Sequence, residues 1–148
     1  MNWGASTMAQ DRAEIEDPLG IYDVVAAYCQ AYDSHDREEL ERVFSPEATL
    51  RLLGGASRGD EAIGRDNVLA WLTRRWPSAP PCLHLTGNLR ITPAGDDARG
   101  TSDFLFLVKK EDGSLQISSA GRYLDRFTRH DGRWVIAERS ITFLGEPV

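Results

Sequence analysis

Between Pro18 and Tyr32 the apolar residues Ile21, Val24, Val25, Tyr28 and Tyr32 recur every three or four positions, which places them on one face of an α-helix. Asp17 and Pro18 supply the cap and first-turn proline that open such a helix. After the corner Ser34-His35-Asp36, the pair Asp36 and Glu39 reads as a capping box. Leu40, Val43 and Phe44 then form the apolar face of a second, shorter helix that Ser45-Pro46 stops. Ala48 to Leu53 predicts a strand ended by Gly54-Gly55. Asp66 caps a third helix carrying Val68, Leu69, Trp71 and Leu72, which closes before Pro77. Beyond the loop PSAPP the period drops to two. Runs near 82–92, 98–109, 115–128 and 133–143, separated by the turns AGDD, KEDG and HDG, predict four long antiparallel strands.

Three helices followed by a strand meander predict the α+β class: a curved, mostly antiparallel sheet covered by three N-terminal helices and enclosing a pocket. A chain of 148 residues suits one hydrophobic core, and no repeat or linker divides it. Residues 1–14 lack periodic apolar positions and read as a flexible N-terminal arm, with residues 15–148 as the single domain. Helices on one side leave the other sheet face in need of burial. With Phe104, Leu105, Phe106 and Leu107 in one strand, a homodimer packed through its sheets is expected.

Charge narrows the partners. Twenty-three acidic against 17 basic residues give a net charge of −6, which disfavours a phosphate backbone, so nucleic acid is not expected as a partner. No apolar run approaches the roughly 20 residues that span a bilayer, and residues 1–16 lack the basic start and apolar stretch of a secretory signal. Cys29 and Cys82 form no metal-site spacing and read as buried thiols suited to a reducing cytoplasm. Three scattered histidines lead us to expect no metal site and no cofactor.

The strand 82–91 puts Cys82, His84, Thr86 and Asn88 on one face and Leu83, Leu85, Leu89 and Ile91 on the other. The polar face either meets solvent or lines a pocket. Asp33 ends an apolar helical face where the partial negative charge of a helix C-terminus disfavours a carboxylate; either Asp33 and Asp36 only cap the next helix or Asp33 has a special reason to be there. His35 in the corner and His130 in the hairpin turn read as solvated. Tyr28 and Tyr32 read as pocket wall. The chain has no GxSxG elbow, phosphate loop, dinucleotide GxGxxG or HExxH, which leaves chemistry needing only a general base and a shaped cavity.

Four segments in order, AYCQAYDSHDREELERVFSPEATL, GRDNVLAWL, CLHLTGNLRI and GRYLDRFTRHDGRWVIAERSI, resemble the SnoaL-like branch of the nuclear transport factor two-like superfamily over residues 15–145. That group includes scytalone dehydratase and hexachlorocyclohexane dehydrochlorinase. The resemblance implies a cone-shaped α+β barrel and a catalytic pair in which Asp33 orients His84 as general base. It further implies a cofactor-independent lyase or isomerase, of dehydratase, cyclase or dehydrohalogenase type, acting on a small, largely apolar or polycyclic molecule. Tyr32 is then a candidate hydrogen-bond donor, and Tyr28, Trp71, Asn88, Asp103 and Phe104 are candidate substrate-binding residues. Two features depart from the dehydratase pattern: Ser102 and Asp103 stand where it has a second histidine, and no second pocket tyrosine lies near Arg51 or Leu52. Asp103 can replace that histidine as an acid only if burial raises its pKa. The alternative is a non-catalytic binding or assembly domain of the same fold. An Asp33–His84 pair buried within hydrogen-bond reach favours the enzyme, and a solvated pair favours the binder.

Overall fold

The computed structural model describes residues 3–145, with side chains from Asp17 onward; Met1, Asn2 and residues 146–148 at the end of the expected domain lie outside the described residues. Helix α1 spans Trp3–Asp33, so it runs back past the expected start at Pro18 and through most of the segment read as an arm. The stretch ASTMAQDRAEIE is rich in strong helix formers. Its propensity carries the helix through Pro18, whose fixed φ is helical although its ring forfeits one hydrogen bond. Ile21, Val24, Val25, Tyr28 and Ala31 form the buried stripe of α1. Full burial of such apolar side chains from valine upward contributes about 1.5–3 kcal/mol each.

The corner after α1 fixes where its last residue points. Asp36 N–H donates to the Ala31 carbonyl at 2.9 Å and His35 N–H to that of Tyr32 at 3.2 Å, with His35 left-handed at φ 57°. This is a Schellman closure made with histidine where glycine is usual. Asp36 then caps α2 (Arg37–Val43), as expected, by accepting from Glu39 N–H at 2.9 Å. Phe44 does not continue that helix. Its backbone is extended, and it opens β1 (Phe44–Leu52) ahead of Pro46, whose ring disfavours helix at the residue before it.

Strand β2 (Glu61–Ile63) is too short to show a period, and α3 (Arg65–Thr73) is capped by Gly64 rather than Asp66, which sits in the first turn where the helix dipole favours it. A 3₁₀ turn at Trp76–Ser78 leads to β3 (Cys82–Ala94), β4 (Asp97–Lys109), β5 (Leu115–His130) and β6 (Arg133–Phe143). One six-stranded sheet results, in the order β2-β1-β6-β5-β4-β3. All neighbours are antiparallel except β1 with β6, which pair in parallel. The curved sheet and three helices form an α+β cone around one core. Among the described residues, no helix is long and apolar enough to cross a membrane.

Strand β3 is inverted relative to a simple amphipathic strand. Cys82, His84 and Thr86 turn inward, while Leu83 and Leu85 are about half exposed. At Asn88, left-handed with φ 53°, the register with β4 shifts, and from Leu89 the apolar residues turn inward. Cross-strand rows Leu83–Leu107–Ile117 and Leu85–Leu105 therefore lie on the face away from the helices. Leu83, Leu85, Leu105 and Ile117 are all exposed there. Light scattering at micromolar concentration is expected to give a homodimer through this face, and Leu85→Glu with Leu105→Glu a folded monomer. A monomer from the unmodified chain would remove the expectation.

Candidate active site

Asp33 is the last residue of α1, and the Schellman corner aims its carboxylate at β3. There Oδ2 accepts the main-chain N–H of His84 at 2.7 Å, and Oδ1 lies 2.6 Å from His84 Nδ1. Cys82 Sγ also points at Oδ1, at 3.7 Å. These donors answer the unfavourable helix-end position that made Asp33 conspicuous. Both side chains are nearly removed from solvent, His84 at 8% exposure and Asp33 at 12%. Burial, then the adjacent Asp33 charge, pushes the Cys82 thiol up to about 11, so it stays a protonated donor at neutral pH.

A carboxylate can only accept from Nδ1, so in a neutral ring facing it the proton belongs on Nδ1 and the lone pair on Nε2. Among the described residues no hydrogen bond engages Nε2. The ring is clamped between Phe106, with centroids 4.5 Å apart, and Tyr32, whose ring meets it edge-on at 5.1 Å. Burial raises the Tyr32 hydroxyl above its ordinary pKa, keeping it a donor.

His84 forms part of the wall of a cavity of about 440 Å³. Tyr28, Tyr32, Trp71 and Phe104 stand around the same space, so five expected site residues, His84 included, come together. Asp33 sits behind the imidazole. The inner wall is aromatic, with Phe104 stacked on Tyr123 at 4.5 Å and Phe143 edge-on to Phe104 at 6.1 Å. The rim is polar: Ser57, Ser118 and Ser119, with Arg74 and Arg75 from the end of α3. Trp71 is held there by its indole N–H on Asp60 at 3.2 Å and by the Arg74 guanidinium 4.3 Å over its ring.

Under the cavity floor lies a buried ion pair. Arg139 is 0% exposed and donates Nε to Asp125 Oδ1 at 2.8 Å and Nη2 to Oδ2 at 2.7 Å. Its guanidinium lies 4.1 Å from the Tyr28 ring centroid and 4.0 Å from that of Tyr123. One cation thus supports both tyrosines of the floor. Burial drives both hydroxyls above their ordinary pKa despite that charge, so both remain protonated.

Two expected residues do not reach the cavity. The shift of register at Asn88 turns its amide outward, where Nδ2 donates to Asp103 Oδ2 at 2.9 Å. Asp103 accepts Arg122 Nε at 2.7 Å on the same outer face. The Arg122 and Asn88 hydrogen bonds hold the Asp103 carboxyl below its usual range, the reverse of what a proton donor needs. His35 is exposed, as expected, although its ring stacks on Trp76 at 4.8 Å. Cys29 is buried and Cys82 half-buried, neither in a disulfide. Among the described residues no three His, Cys, Asp or Glu side chains gather as a metal site would require. Tyr123, Phe106, Asp125 and Arg139 were missed. Tyr123, from β5, lines the cavity beside Tyr28 and Tyr32.

A cone of helices on a curved sheet around an aromatic cavity is the fold seen in nuclear transport factor two-like proteins. The chain belongs to the SnoaL-like domain family, whose model matches residues 13–140. The uncharacterized protein Rv2910c of Mycobacterium tuberculosis is 30% identical over 131 residues, covering 86% of this chain and 85% of the relative. An NTF2-like protein with a cystatin-like fold from Novosphingobium aromaticivorans superposes with a TM-score of 0.84 at 22% identity, covering 97% of this chain and 92% of its own. A candidate scytalone dehydratase from the same organism gives 0.76 at 20% identity, over 90% and 87% of the two chains. At these identities the two structures establish the fold alone.

Proposed function

We propose that the protein is a cofactor-independent lyase or isomerase in which His84 Nε2 removes a proton from a small, largely apolar or polycyclic substrate. The observation that carries the reading is the 2.6 Å contact between Nδ1 and Asp33, made behind a ring that forms part of the cavity wall. Asp33 orients the imidazole and stabilises the cation formed when Nε2 takes up the proton. The electron pair of the broken C–H bond then expels a leaving group from the adjacent carbon or moves into a conjugated carbonyl. In this reading Tyr32, on the wall of the same cavity, donates to developing negative charge. Likeness in fold to a candidate scytalone dehydratase supports the reaction class. Burial of the pair favours catalysis over a purely binding role.

The tautomer can be tested without knowing the substrate. Nitrogen-15 spectra of the neutral His84 ring are expected to show a protonated Nδ1 and a bare Nε2. Asp33→Asn should reverse them, because the amide can donate to Nδ1. A wild-type ring protonated on Nε2 would defeat the mechanism.

A further inference from the structure

The balance of charge around the cavity runs against that of the chain. Acidic residues outnumber basic ones 23 to 17, yet among the described residues no Asp or Glu lines the cavity, while Arg74 and Arg75 both stand on its rim. Arg74 is partly answered by Asp60, 3.7 Å away. For the Arg75 side chain no ion pair or hydrogen bond is formed among the described residues. Both positive charges reach the Tyr32 hydroxyl, which burial raises in pKa and the two arginines pull back. The wall below them is aromatic. An apolar chamber with two guanidiniums at its lip and no carboxylate among its lining residues suits an amphipathic guest: a ring buried at the bottom and an anion at the top.

Resting on the proposed role of this cavity, we propose that its substrate is a ring compound bearing a carboxylate. The ring packs on Phe104, Phe106 and Tyr123, and the carboxylate is held at the rim by Arg75 with Arg74 beside it. This handle would set which end of the molecule His84 meets. Arginine suits the task because its planar fork matches a carboxylate, and its stacking on Trp71 already orients Arg74. A purely structural role, in which both arginines only answer the negative end of α3, makes no demand on the ligand's charge.

The test uses 2-naphthoate and its neutral counterpart 2-naphthamide, titrated by the fluorescence of Trp71 and Trp76 beside the cavity. Wild-type protein at low salt is expected to bind the carboxylate about tenfold to a hundredfold more tightly, the worth of a charge-assisted contact, and the gap should narrow as salt rises. Arg75→Gln should remove most of the preference, and Arg74→Gln with Arg75→Gln all of it, without lowering the melting temperature. His84→Ala should retain it. Equal affinity for the two probes, binding of neither, or a preference surviving the double arginine variant overturns the handle. The His84 tautomer is read separately, so a failed handle leaves the dyad standing and a failed dyad leaves the handle standing.

Discussion

His84→Ala is expected to slow turnover by about 10²- to 10⁴-fold while leaving ligand binding nearly intact, the signature of a lost general base. The reason is geometric. His84 contributes one edge of an aromatic chamber whose other walls persist without it, so affinity survives, whereas the proton acceptor does not. Asp33→Asn should impair turnover too, since an amide facing Nδ1 favours the proton on Nε2 and blocks the lone pair that the reaction needs. Deuterium wash-in supplies the measurement before a natural substrate is known. Cyclic ketones and aromatic acids with an acidic C–H are incubated in heavy water, and exchange is followed by mass spectrometry. If both variants, still folded, exchange at wild-type rates, Asp33 merely secures the His84 main-chain N–H and His84 is only wall.

The legible parts of this protein are those where one period governs many residues. The face of α1 from Ile21 to Tyr32 and the four long strands followed directly from spacings of 3.6 and 2. Strand β2, with three residues, has no period to read, and Phe44 sits at a junction where helix and strand patterns both admit an aromatic. Strand β3 misleads for a physical reason: its inward face carries Cys82, His84 and Thr86 while leucines face out, and one left-handed residue at Asn88 moves every later side chain to the opposite face. Unbroken alternation past Thr86 puts Asn88 on the His84 face, whereas Asp103 entered only through the resemblance. The Asp33–His84 pair came from resemblance, because a separation of 51 positions carries no local signal. Asp125 and Arg139 did leave one. Each occupies the inward phase of an apolar alternation, between Tyr123 and Phe127 and between Ala137 and Ile141, and two opposite charges so placed on neighbouring strands mark a buried pair.

Arg139→Met is expected to cost about 3–5 kcal/mol of stability, among the largest losses a single substitution here should produce. Asp125 and Arg139 are direct partners in the β5–β6 register, both sealed from solvent, so removing the guanidinium strands a carboxylate in the core with no water to receive it. Tyr28 and Tyr123 lose the cation that both rings face, and the floor of the cavity loosens with them. At the usual few degrees per kcal/mol for a chain of this length, the melting temperature should fall by roughly 10 °C or more. Asp125→Leu combined with Arg139→Met should recover most of that loss, because two apolar side chains of similar volume owe no desolvation penalty. Thermal melts of the single and double variants separate the two contributions. A single variant as stable as wild type would show that the strand accommodates an unpaired Asp125, and a double variant no better than the single would show that Arg139 acts mainly through the two tyrosines it supports.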